Sequence, residues 1–148
     1  MERIASFTVD HTTLDPGMYV SRVDGDITTY DMRCVKPNAP RLLTNAEMHT
    51  FEHMFATAIR NGEIGGSVIY FGPMGCQTGF YLLVRNADED GVNSAVSAAL
   101  SYIRAYEGEV FGNTPQECGN YKNLRLDDAK TVAAVFARAF KGIEKYKQ

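Results

Sequence analysis

Residues 44–62 read TNAEMHTFEHMFATAIRNG, and the fold turns on whether this stretch is one amphipathic helix. Thr44 and Glu47 have the spacing of a capping box, and Gly62 follows the last periodic residue as a stop. At about 100° per residue, Met48, Phe51, Phe55, Ala58 and Ile59 gather into one arc, which is a packing stripe. The stretch is therefore predicted to be a helix that buries this stripe. His49 and His53 lie beside it on one flank, one turn apart, with Glu52 between them and the stripe. Side chains at i and i+4 are neighbours on a helix, so the two imidazoles can grip a single ion. Such pairs also arise by chance on polar faces, and the spacing alone does not decide between a metal site and a solvated flank.

Outward from the helix the hydrophobic period changes. Before it, SFTVDH (6–11), GMYVSRVD (17–24) and DITTYDMRCV (26–35) read as strands, with Asp24-Gly25 as a hairpin turn and Pro37-Asn38 ending the third run. After it, GSVIYFG and QTGFYLLVR read as two more strands around a Gly-Pro-Met-Gly-Cys bend. Asp88 caps a predicted helix reaching about Arg104. A last helix carries Val132, Val135, Phe136, Ala139, Phe140 and Ile143 on one side. The C-terminal KGIEKYKQ reads as its solvated end. Antiparallel strands in two groups with helices between them predict an α+β fold, a two-layer sandwich of an antiparallel sheet packed against helices.

A chain of 148 residues, 45% hydrophobic with a net charge of −3, has the size of one domain over residues 1–148 and enough apolar material for a core. The first fifteen residues hold only short apolar pieces broken by Glu2, Arg3 and Asp10, so no apolar leader or membrane span is expected there. A cytoplasmic location follows as an expectation. No basic stripe suggests a nucleic-acid partner. Three widely spaced cysteines, Cys34, Cys76 and Cys118, do not form a disulfide framework and read as free thiols or thiolate ligands.

A catalytic zinc-type site takes three protein ligands and keeps a fourth position open. Cys118, in ECGN, and Cys76, in GPMGCQTG, are both candidates for the third ligand, and spacing does not choose between them. Cys76 lies on a Gly-flanked bend where a thiol can reach a cleft and accept a proton. Cys34, beside Val35 in a strand, reads as a small core residue. His11 beside Asp10 reads on its own as a turn histidine, Arg33 as a solvated cross-strand partner, and Ser6 carries no signal.

HTFEH, PMGCQTGFY and ECGNY, in that order, resemble the S-ribosylhomocysteine lyases, the bacterial autoinducer-2 synthesis enzymes. The likeness runs from ASFTVDHT through YDMRCVKPN to the last cysteine motif. It implies that His49, His53 and Cys118 hold one divalent ion per chain, with Fe(II) favoured and zinc also accepted by such donors. It further implies that Cys76 and Glu52 are the catalytic acid/base pair and that Ser6, His11 and Arg33 contact the ribosyl part of the substrate. The implied partner is a second copy, in a homodimer with active sites at the interface. The implied reaction moves a carbonyl along the sugar from carbon 1 to 3, then expels homocysteine by β-elimination, leaving 4,5-dihydroxy-2,3-pentanedione. The resemblance implies a role in quorum sensing or in homocysteine recycling, and the sequence does not choose between them. One departure stands out: the family usually has Asp-Ile-Ser before PMGC, where this chain has Tyr70-Phe71-Gly72. A tyrosine supplies no carboxylate for the ammonium of the homocysteine end.

Two other readings compete. HxxEH is also a metallopeptidase signature, in which the glutamate activates a metal-bound water; the short chain and a thiolate ligand argue against it. A catalytically inactive relative whose ion only staples the fold would need a closed, four-ligand site.

Overall fold

The predicted helix forms as α1, Asn45–Arg60, in a computed structural model that describes residues 1–147, Gln148 lying outside them. Its start is the expected capping box: the Glu47 N–H donates to Thr44 Oγ1 at 3.1 Å, and the Thr44 N–H donates to Glu47 Oε1 at 2.9 Å. Burial pushes the Glu47 carboxyl up, but these bonds and Arg41 at 3.0 Å outweigh it and hold the carboxyl below its ordinary value. Thr50 fastens the other side, donating to Ala46 O and accepting from the Arg125 N–H at 3.1 Å.

The remaining elements are β1 (Gly17–Asp24), β2 (Ile27–Arg33), β3 (Val68–Pro73), β4 (Gly79–Arg85), α2 (Glu89–Ala105), α3 (Leu126–Ala139) and β5 (Ile143–Glu144). The strands form one sheet in the order β3-β4-β2-β1-β5. Every pairing is antiparallel except β1 with β5. The two predicted strand groups thus join into one sheet through β2 and β4. Gly79 permits this close pairing, since a Cβ there would stand 2.2 Å from Met32 O.

Alternation along β2 assigns the faces. Tyr30 and Met32 point into the core with Phe80 and Leu82 of β4, where α1, α2 and α3 cover them. Asp31 and Arg33 leave the opposite face. Phe51 and Phe55 of α1 meet Phe71 and Phe80 of the sheet with ring centroids 4.6 to 6.0 Å apart. The two-layer α+β architecture is the one expected.

Three local expectations fail, each for a visible reason. SFTVDH is not a strand: a 3-10 turn covers Ala5–Phe7, and Asp10 Oδ1 accepts from both the backbone N–H and hydroxyl of Thr12, which bends the chain. The last helix stops at Ala139, because Phe140 is extended and Gly142 takes φ +102°. Ile143 therefore lies in β5, and the tail read as a solvated helix end extends the sheet instead. Arg33 is not a solvated strand residue; it is 3% exposed.

Replacing Thr44 with alanine removes one half of the capping box and should lower stability by about 1 kcal/mol. Urea unfolding followed by circular dichroism checks this, the midpoint falling with an unchanged slope.

Candidate active site

The flank of α1 predicted to carry histidines does so. His49 and His53 stand edge to face with centroids 4.8 Å apart. Residues 113–118 fold over this flank, with the Cys118 N–H on Thr114 O, and bring the Cys118 sulfur to 3.3 Å from His49 Nε2. One ligand atom from each of the three residues lies within 4.8 Å of the others. Of the two cysteines left open by spacing, the fold brings Cys118 to the histidines.

The surroundings prepare these donors for an ion. His53 Nδ1 is 2.8 Å from Phe111 O, and a carbonyl only accepts, so Nδ1 is the donor here and Nε2 is the nitrogen left for an ion. Gly112 makes this possible: it sits at φ +71°, and a Cβ there would come within 3.0 Å of His53 Nδ1. Burial, and then His53, push the His49 imidazole below its ordinary value and favour the neutral form that ligates metals. His49 Nδ1 lies 3.3 Å from the Asn123 amide, which in turn reaches Asn45 Oδ1 at 2.6 Å. The Asn123 Nδ2 group thus stands between the Asn45 oxygen and the His49 ring and fixes the ring's orientation. Cys118 Sγ accepts the Asn120 N–H at 3.4 Å, a donation suited to a thiolate. Two imidazoles and one sulfur, with cavities in front of them, fit a metal held by three protein ligands with an open position.

Glu52 belongs to the same place. It lines a cavity of about 300 Å³ with His49 and Pro73, and a second of about 680 Å³ with His53, Arg60, Tyr70 and Glu117. Burial pushes its carboxyl above the ordinary value, partly opposed by His53, which moves it toward the range where a carboxyl both gives and takes protons. Tyr70 stands on the rim of the larger cavity, half exposed, its hydroxyl folded over Gly72 where a Cβ would be.

Cys76 lies elsewhere. It lines neither cavity; its sulfur is 3.0 Å from Thr78 Oγ1 and 3.8 Å from Arg33 Nη1. The turn that carries it is pinned to the segment before α1, with the Leu43 N–H on Gln77 O at 2.9 Å and Gln77 Nε2 on Leu43 O at 2.7 Å. Gln77 pays a backbone strain for this, at φ +66°. Arg33 also bonds Thr78 Oγ1 at 2.7 Å and Asp31 Oδ2 at 2.6 Å. Cys34 is buried, and burial pushes its thiol far up, as befits a core residue.

Ser6 is exposed in the N-terminal 3-10 turn, and His11 Nδ1 is held by Val9 O at 2.9 Å. The predicted residues therefore form three groups: the His49-His53-Cys118 trio with Glu52, the Cys76-Arg33 pair, and the N-terminal Ser6 and His11. Sequence reasoning missed Asp31, Thr78, Phe111, Gly112 and Asn123. Only Gly112, a glycine in the stretch between the two last predicted helices, carried a local signal.

Residues 4–147 match the family described as S-Ribosylhomocysteinase (LuxS). The chain is 46% identical to the S-ribosylhomocysteine lyase of Clostridium acetobutylicum, over 85% of this chain and 84% of that one. It is 40% identical to that of Finegoldia magna, over 98% and 96% of the two chains, and 41% identical to that of Borreliella afzelii, over 97% and 96%. With two histidines of the HTFEH helix and Cys118 gathered as possible metal donors, and a family match over nearly its whole length, this chain belongs to the S-ribosylhomocysteinase (LuxS) family.

Proposed function

We propose that residues 1–148 act as one lyase domain that cleaves S-ribosylhomocysteine to homocysteine and 4,5-dihydroxy-2,3-pentanedione. The observation that carries this reading is the convergence of His49, His53 and Cys118 on one flank of α1 beside the half-buried Glu52, in a chain of this family. The ion we assign is a single ferrous iron per chain, held by those three residues, for which zinc can substitute. Such an ion, when bound, supplies Lewis-acid polarisation to a substrate carbonyl oxygen.

The chain's own residues then move the protons. Each carbonyl shift takes a proton from the carbon next to the carbonyl and returns one elsewhere, and the elimination breaks the carbon-sulfur bond. Glu52, its carboxyl raised by burial, serves one side of the substrate. Cys76 serves the other, with the Arg33 guanidinium 3.8 Å away to stabilise negative charge on its sulfur. Ser6, His11 and Arg33 hold the ribosyl part.

Within one chain these groups do not share a cavity, since Arg33 leaves the sheet face opposite to α1. The N-terminal segment also exposes Ile4 at 58% and Phe7 at 63%. Both features support a homodimer in which each active site draws residues from two copies. Among the described residues no helix is long and apolar enough to cross a membrane, and a cytoplasmic enzyme of homocysteine recycling and autoinducer synthesis is the reading we adopt.

Three measurements check this. Metal analysis of protein purified without oxygen should find about one ion per chain, lost in Cys118→Ala and His53→Ala; stoichiometric metal in either variant would remove it from the ligand set. Cys76→Ala should release no homocysteine while keeping its metal, and Glu52→Gln should stall at a carbonyl-migration stage. Tyr70→Asp restores a carboxylate on the cavity rim, and should lower KM roughly tenfold, the worth of one charge-assisted hydrogen bond, with little change in kcat. An unchanged KM would place the homocysteine end away from Tyr70.

A further inference from the structure

The sheet face turned away from the helices carries a row of three side chains, Tyr19, Asp31 and Tyr81, paired across β1, β2 and β4. At its centre Asp31 is 1% exposed, and Arg33, two residues along the same face, is 3% exposed. A buried ion pair is costly unless its remaining hydrogen-bonding groups are satisfied. Here they are not all satisfied, since Asp31 Oδ1 and Arg33 Nε have no partner. Asp31 Oδ2 is thus the one anchored oxygen, and it accepts from Arg33 Nη2 at 2.6 Å and from the Tyr146 hydroxyl at 2.7 Å.

Tyr146 arrives from the tail beyond β5, and the tail is fastened just before the contact. Ile143 and Glu144 pair with Met18 and Tyr19 of β1, and the Ile143 N–H donates to Asn93 Oδ1 of α2 at 3.1 Å. The Tyr146 ring stacks on Tyr19 with centroids 5.1 Å apart and planes 22° from parallel. Burial, then the charge of Asp31, push the Tyr146 phenol up, so the hydroxyl stays a donor at neutral pH. At the far end of the chain of contacts, Arg33 Nη1 faces Thr78 Oγ1 at 2.7 Å and the Cys76 sulfur at 3.8 Å.

We propose that Tyr146 is a positioning residue for the lyase reaction: its hydroxyl fixes Asp31, and through Asp31 it holds the Arg33 guanidinium against Cys76. Through this one side chain the C-terminal tail acts on the site. In a network already lacking partners at Asp31 Oδ1 and Arg33 Nε, loss of one more bond leaves the carboxylate held by Arg33 alone. The inference rests on the reading of Cys76 as catalytic.

The test is Tyr146→Phe in the full-length, metal-loaded enzyme, which keeps the stacked ring and removes only the hydroxyl. Alkylation of Cys76 by iodoacetamide, located by peptide mass, is timed at pH 7 and at pH 10, beside steady-state turnover. A guanidinium held against a sulfur favours its charged, reactive form most at the lower pH, whereas access to the sulfur matters equally at both. The expected result is alkylation slowed about three- to tenfold at pH 7 and unchanged at pH 10, with kcat reduced by a similar factor. Lys147→Ala, which removes only an exposed tail contact to Asp15, should behave as wild type. Wild-type alkylation and kcat in Tyr146→Phe would overturn the proposal even if its melting temperature fell, and so would equal slowing at both pH values, which reports access alone. Cys76→Ala, run alongside, separates the two failures: if it turns over normally the reading of Cys76 fails, whereas if it is inactive and Tyr146→Phe is normal, only the role of Tyr146 fails.

Discussion

Phe51 and Phe55 of α1, packed against Phe71 and Phe80 of the sheet, fix how the helix is rotated about its axis, and the site depends on that rotation. All four rings are buried, and Phe51, Phe55 and Phe80 are wholly so. Residues on a helix are locked in angle, so once Phe51 and Phe55 face the sheet, His49 and His53 must project from one flank and Glu52 from beside them. Offset and tilted aromatic contacts prefer particular geometries, which makes this seating more specific than aliphatic packing of equal area. The capping box at Thr44 and the Thr50 bond to Arg125 then stop the helix from sliding along its axis.

The other face of the sheet is organised by charge. Asp31 and Arg33 are buried on a surface that most two-layer domains leave to water. Replacing such a pair with apolar residues is often neutral or stabilising, so its presence is weak evidence for a stability role. Its geometry points to another use: the guanidinium is aimed through Thr78 at the Cys76 sulfur. The tail, Tyr19 and Tyr81 form the cover that keeps this charge out of solvent.

What could be read from sequence follows from the range of the contacts. The helix boundaries and the histidine flank depend on residues within one or two turns of each other, and both were legible. SFTVDH alternates like a strand, but the side chain of Asp10 turns the backbone in a way that periodicity does not register. Ile143 continues the spacing of the last helix, but Phe140 is already extended and Gly142 takes a positive φ. Arg33 resembled a solvated strand residue because the contacts around it are distant in the chain: Thr78 lies 45 residues from it, and Tyr146 lies 115 from the Asp31 it pairs with. Spacing could not choose between Cys76 and Cys118 for the same reason, and only the family resemblance did: the bond from Cys118 to His49 spans 69 residues.

The separation of the two cysteines has a chemical consequence. If Cys76 reached His49, His53 and Cys118, an ion there would have four protein donors, the closed arrangement of structural sites, and no position for a substrate oxygen. The turn over residues 74–77 prevents this. It is tied to Leu43 through Gln77, and its sulfur is engaged by Thr78 and Arg33 on the far side of the sheet. The strained φ of Gln77 and the buried Asp31-Arg33 pair are therefore costs with one common effect, which is to hold the Cys76 sulfur away from His49, His53 and Cys118.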